Sequence, residues 1–324
     1  MNKKEKNTLR KLQKRNYEGF LLIVRGIETG VAAGLVCVLF RFLLSKAEEY
    51  LYIIIENIKG SAVRSVLWIA VLAVLGILVS LVVKHVPDSG GSGIPQVSAE
   101  VKGILSPCWW KVIPAKLFGA TVSVFSGLSL GREGPSVQFG AMAAKGVARL
   151  TRADKTTELR MLSSGAGAGL AAAFNAPLAG VMFVLEEIHK TFDKAVLCVA
   201  IVAAVVADFI SKLFFGQDTV FSYQSETIPL RTYWLLILFG ILAGLFGAFY
   251  NTVMIACKDL FDKIHKIPQW IKFAFVFAVS GITGLFLPQV LCGGHSMAQL
   301  LVEERPSISL LTYVQQEQFV CLYH

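Results

Sequence analysis

The chain has 324 residues, of which 55% are hydrophobic and 16% charged, against about 25% charged in a soluble domain of this size. Its mean hydropathy of +0.62 and its recurrent apolar runs, several near the roughly 20 residues needed to cross a bilayer, predict an all-α integral membrane protein. The net charge of +9 is not a nucleic-acid footprint, because seven of the basic residues (Lys3, Lys4, Lys6, Arg10, Lys11, Lys14 and Arg15) fall within the first fifteen positions.

That basic segment, 1–17, directly precedes the first apolar run and predicts a cytoplasmic N-terminus in contact with anionic headgroups. Residues 4–16 read as a basic surface helix. A cleavable signal is not expected, since the stretch after Tyr17 is too long for an h-region and carries Arg25 and Glu28. The first span, 18–57, runs into Tyr50 and Tyr52, aromatic residues suited to an interface belt. A second span covers 62–86, followed by a loop from Asp88 to Gly93 and a short amphipathic piece to Lys102. Shorter, Gly-rich spans are predicted at 111–130, 135–150, 157–174 and 177–190, and cleaner ones at 194–215, 231–264 and 268–290.

Enzyme chemistry finds no foothold. No catalytic dyad or nucleophile is visible, and no HExxH pair or GK[ST] phosphate loop occurs. The six cysteines (Cys37, Cys108, Cys198, Cys257, Cys292 and Cys321) and five histidines (His85, His189, His265, His295 and His324) are scattered without disulfide or metal-ligand spacing. The cysteines are expected to be buried free thiols, and no cofactor or metal is implied. Gly165, Gly167 and Gly169 imitate part of a dinucleotide fingerprint, but no strand precedes them, and close helix packing explains them better. Lys116, inside an apolar span, reads equally as a structural or an electrostatic residue.

The informative region is 88–190, where prolines interrupt at Ile94-Pro95, Gly134-Pro135 and Ala176-Pro177. Proline is tolerated at a helix start, and a helix that begins inside a bilayer must line a cavity or pack against protein. Its free N–H groups and positive dipole end suit an anion at membrane depth. The same residues are also ordinary packing devices in membrane helices.

Three segments carry more. They are Gly91-Ser92-Gly93-Ile94-Pro95, Gly131-Arg132-Glu133-Gly134-Pro135, and Asn175-Ala176-Pro177-Leu178-Ala179-Gly180 followed by Glu186-Glu187. In this order and spacing they resemble the anion-site loop, the gating motif and the stretch leading to the internal proton glutamate of the CLC chloride channels and chloride/proton antiporters. The resemblance extends from about Tyr17 to Ser309, and Gly293-Gly294-His295 fits a glycine-rich loop of the family's second half.

The resemblance implies that Ser92, Gly93 and Ile94, with Gly131, Arg132 and Gly134, hold the anion through hydroxyl and backbone dipoles. A site built of weak dipoles lets the ion leave again, which a buried full charge would hinder. On the residues alone, Ser92 also reads as an N-cap for the helix of Pro95. Glu133, an ionisable group in a membrane span, is a functional candidate by default. The resemblance makes it the external gate, a carboxylate that occupies the halide's place until it is protonated. An ion pair with Arg132 is the plain alternative, although i,i+1 neighbours do not share a helix face. Glu187 matches the internal proton glutamate; alone, Glu186-Glu187 would read as a solvated acidic helix end.

The implied fold is a CLC-type inverted-repeat helical bundle with broken helices, its first repeat at 18–215 and the start of an incomplete second at 216–311. The implied function is transmembrane chloride/proton antiport by a homodimer, multi-pass in the cell membrane, with chloride, protons and lipid as its partners and no nucleic acid. A passive channel is the alternative, against which Glu187 counts; another is a fragment that only associates with full-length subunits. The family's GxFxP motif and later site tyrosine are absent, and 312–324 turns abruptly polar. The expectation is therefore a truncated or frame-shifted chain whose tail is non-native, inactive unless the missing helices are supplied.

Overall fold

The computed structural model describes residues 3–58, 60–217, 229–264, 267–288 and 291–293, with side chains from Glu18 onward. Within them every regular element is helical. The first helix, α1 (Lys3–Ile58), is continuous for 56 residues, about 84 Å at 1.5 Å per residue. The separate surface helix expected at 4–16 is thus the first part of α1. Its Lys, Arg, Glu, Gln and Leu residues are good helix formers and no proline interrupts them, so nothing ends the helix at Tyr17. Such a length far exceeds a hydrocarbon core of about 30 Å, so one end of α1 stands outside it.

Helix α2 (Ala62–His85) is apolar from Val66 to Val83 apart from Ser80, with Lys84 and His85 in its last turn. A 3-10 turn at Pro87–Ser89 leads to α3 (Ile94–Val101), which starts from Gly93 at φ 106°, a left-handed conformation that glycine adopts without strain. Helix α4 (Trp109–Phe125) contains Pro114. It stops short of the expected end at 130, because Gly127 turns the chain at φ 82°. Then come α5 (Glu133–Leu150) and α6 (Lys155–Phe174).

Asp154 caps α6, accepting from the N–H groups of Thr156 and Thr157. Asn175 closes the helix in the left-handed conformation at φ 54°. The span expected at 177–190 divides into α7 (Pro177–Phe183) and a single π-helical turn, Val184–His189. Three further α-helices, α8 (Lys194–Phe215), α9 (Trp234–Lys263) and α10 (Gln269–Phe286), and a 3-10 turn at Leu230–Thr232 complete the described elements.

Among the described residues, five helical stretches are long and apolar enough to cross a membrane: Glu18–Ile58, Ala62–His85, Lys194–Phe215, Leu230–Lys263 and Gln269–Phe286. The Gly-rich helices lie between them. Helices α5 and α6 touch backbone to backbone: a Cβ on Gly165 or Gly169 would run into the carbonyls of Gly140 and Ser136, and one on Gly167 into that of Gly180. The three glycines are therefore packing residues, as expected. Phe40 of α1 packs on Phe139 of α5 with ring centroids 4.8 Å apart.

Helix α9 differs, with none of its residues buried. Cys37, Cys108, Cys198, Cys257 and Cys292 are free thiols, but only Cys37 and Cys292 are buried. The expectation of burial fails for Cys257, which sits on exposed α9. The proposed tail at 312–324, and Gly294-His295 of the glycine-rich loop, lie outside the described residues.

Candidate anion-binding site

The loop between α2 and α3 is fixed by side chains that consume its carbonyls. Gln138 Nε2 donates to the Asp88 carbonyl, Gln96 Nε2 to that of Gly90 and Lys116 Nζ to that of Gly91, each at 2.8 Å. Lys116 is buried, which answers the open question about it: it is a structural clasp that also sets a positive charge behind Ser92. With those oxygens tied back, the loop can turn N–H groups and the Ser92 hydroxyl outward. The first N–H groups of α3 have no intrahelical acceptor.

Ser92 does not cap α3. The cap position is Gly93, with no side-chain hydrogen bond, because the φ of 106° there suits glycine alone. The hydroxyl of Ser92 is left available to a ligand.

The start of α5 abuts this loop. A Cβ on Gly134 would lie 2.5 Å from the Ser92 carbonyl oxygen, and one on Gly93 would lie 3.0 Å from that of Gly134. Two glycines thus bring two helix N-termini together. Pro95 and Pro135 fall in the first turns of α3 and α5, and Pro177 opens α7, the positions the sequence predicts.

Glu133 is the first residue of α5. Its side chain folds back so that Oε2 occupies the place a Cβ on Gly131 would need. Among the described residues it forms no ion pair with Arg132, which precedes α5 as its cap residue.

Ser92, Ile94, Gly131, Glu133 and Gly134 all line one cavity of about 1270 Å³, which at ~30 Å³ per water holds on the order of 40 waters. Gly93 is buried beneath the loop, and Arg132 does not line the cavity. Glu187 lies elsewhere, on the π-helical turn, with 59% of its side chain exposed and Lys190 3.9 Å away. Its geometry is that of a solvated helix end.

Sequence reasoning missed Gln96, Gln138, Gln269 and Lys272, of which Gln269 and Lys272 line the cavity from α10. It also missed a buried ion pair between Lys145 of α5 and Glu100 of α3, in which Lys145 Nζ donates to the Pro107 carbonyl at 2.6 Å as well. The only advance signal was the rarity of a charge at such positions.

The family model of the voltage gated chloride channel matches residues 75–320. The chain belongs to that family. Among relatives of this family member, the H(+)/Cl(-) exchange transporter ClcA of Vibrio parahaemolyticus serotype O3:K6 (strain RIMD 2210633) is 34% identical over 317 residues, covering 94% of this chain and 68% of that protein. ClcA of Vibrio vulnificus (strain YJ016) is 36% identical over 293 residues, covering 87% and 62%. The chain thus spans about two thirds of the length of these relatives.

Of solved structures, a slow cyanobacterial Cl-/H+ antiporter superposes with a TM-score of 0.79 at 27% identity, over 93% of this chain and 72% of that one. A CLC-type fluoride/proton antiporter matches with a TM-score of 0.68 at 21% identity, covering 84% and 66%, and bears on the fold alone. The fold is therefore that of the CLC proteins, an all-α multi-pass membrane bundle.

Proposed function

We propose that this family member exchanges chloride for protons across the cell membrane, as a homodimer with its N-terminus in the cytoplasm. One observation carries the reading: the Ser92 loop and Glu133 face the same cavity from two abutting helix starts. Each start contributes about half a positive charge and free N–H donors, enough to hold a halide yet weak enough to release it. The carboxylate of Glu133 is attracted to the same positive end. Halide and carboxylate compete for it, and protonation of Glu133 tips the competition toward the halide.

A proton carried in on Glu133 and an anion carried the other way then share one element, which is the basis of exchange. Glu187 serves this scheme as the acceptor open to water on the other side. The names of the relatives, which are exchange transporters, support exchange.

Chloride efflux from liposomes holding the purified chain, with proton uptake recorded in the same vesicles, tests the proposal. Chloride movement coupled to protons, with coupling lost in Glu133→Ala, is the expected result, and it would overturn the expectation that the chain is inactive without the missing helices. Chloride movement without protons in both versions makes the chain a passive channel, and no movement in either removes the transport reading for this chain. The mass of the purified complex in detergent tests the homodimer.

A further inference from the structure

We infer that Lys272 gives the cavity a second anion-holding point, in series with the Ser92 loop, that gathers a small monovalent anion before it reaches Ser92. The inference rests on the transport reading above and adds a residue that none of the three motifs contains. Lys272 lies in the first turn of α10 and lines the cavity. Its Nζ donates to the carbonyl of Phe261, in the last turn of α9, at 2.5 Å. No carboxylate among the described residues pairs with it. An ammonium carries three protons, and one carbonyl leaves two of them for the cavity.

Lys116 is placed the same way, bound to the Gly91 carbonyl without a carboxylate partner. The packing sets both lysines toward the same end. Gly76 of α2 meets the Phe273 carbonyl, and Gly119 of α4 lies over Val79 of α2. Lys272 adjoins Phe273, and Lys116 is one turn from Gly119, so both belong to the part of the cavity beside the second half of α2, where the Ser92 loop begins. Gln269, one turn before Lys272, adds an amide to the same wall.

Two acidic groups face the same space. Glu133 stands on the α5 wall, folded over Gly131, and Asp262 at the end of α9 is exposed and pairs with neither lysine. Apart from Ser89 and Ser123 on the remaining wall, the side chains there are apolar, including Phe40, Val79, Phe273 and Phe277. Low-dielectric walls focus the field of the lysines into the water between them and raise the local anion concentration. A neutral residue that merely closed the end of α9 would hold the same carbonyl without that field, so charge at this position is what the inference turns on.

The test is calorimetric titration of chloride into the full chain in detergent, for wild type, Lys272→Gln, Lys272→Arg and Ser92→Ala, at low and high concentrations of sodium gluconate. Lys272→Gln is expected to weaken chloride binding about fivefold at low ionic strength, and the gap is expected to close as screening increases. Lys272→Arg keeps the charge and is expected to bind within about twofold of wild type. A purely structural role gives a loss independent of salt that arginine does not restore, and that result overturns the inference. Wild-type affinity in Lys272→Gln, with binding lost in Ser92→Ala, also overturns it and leaves the Ser92 site standing. No chloride binding by wild type removes both readings together.

Discussion

The ammonium of Lys116 and the carbonyl oxygen of Gly91 are joined at 2.8 Å, so a residue in the middle of α4 holds the loop that presents Ser92. Removing the ammonium frees a carbonyl to turn toward the cavity, where it would repel an anion. Lys116→Met is expected to weaken halide binding by tenfold or more, given that a hydrogen bond to a charged group is worth roughly 1.5–3 kcal/mol. Halide titration of the purified variant checks this, and unchanged affinity would show that the loop holds its shape without the clasp.

Gly134 and Gly240 make a matched pair. A Cβ on Gly134 would lie 2.5 Å from the Ser92 carbonyl oxygen, whereas one on Gly240 in α9 meets nothing within 4 Å. Gly134→Ala is expected to cost about 1–3 kcal/mol by overpacking and to abolish halide binding by forcing the two helix starts apart. Gly240→Ala is expected to be neutral or stabilising by roughly 0.5–1 kcal/mol, since alanine is the better helix former. Thermal unfolding in detergent, run with and without chloride, reads both effects.

The ion pair between Lys145 and Glu100 is buried on both sides, at 0% and 2% exposure. Breaking such a pair from one side leaves an uncompensated charge and costs about 3–5 kcal/mol. Glu100→Leu and Lys145→Met are each expected to lower the melting temperature sharply. The double variant is expected to recover most of the loss, because the desolvation penalty goes with the charges. A double variant no better than the worse single one would show that the contact with the Pro107 carbonyl matters more than the pair.

Asp154 predicts a pH dependence. Its carboxylate accepts from Thr156 N, Thr157 N and Thr157 Oγ1 at the start of α6, and these bonds, first among them the one from the Thr157 hydroxyl, hold its pKa below the ordinary aspartate value. A depressed carboxylate contributes stability that is fully present above its unfolded pKa of about 3.9 and is lost as pH falls through the folded value. Asp154→Ala is therefore expected to be less stable than wild type at pH 7. The two are expected to converge as pH drops below about 4, as read by unfolding at a series of pH values. Equal stability of the two at pH 7 would mean the cap contributes nothing there.

Much of this was legible because it is local. Pro95, Pro135 and Pro177 announce helix starts, since proline is best tolerated in the first turn of a helix, and the described helices begin within two residues of each; Pro114, inside α4, is the exception. Ser92 and Glu133 each sit in a contiguous motif, and Gly165, Gly167 and Gly169 display their packing role in their own spacing. Other features depend on contacts across the fold. That Gly91 is the partner of Lys116, or Glu100 of Lys145, follows from how α3, α4 and α5 stack, and no window of sequence contains both members.

That Ser92 does not cap α3 turned on the backbone torsion at Gly93, which residue type leaves open. The π-helical turn under Glu186 and Glu187 inserts an extra residue per turn without any composition that marks it. Cys257 was expected to be buried because its surroundings are apolar, yet on a membrane helix apolar surroundings also describe a surface that meets lipid.

The contact between α5 and α6 has a mechanical consequence. At Gly140, Gly165 and Gly169 the two helices meet through main chain, with no side-chain torsions between them to soften the joint. Long side chains at an interface absorb small displacements by changing rotamer, whereas glycines have no rotamers to change. A shift at the Asn175 end of α6 therefore meets little side-chain play before it reaches the first turn of α5. Glu133 is mounted on that turn, so the placement of its carboxylate is tied to the position of α6.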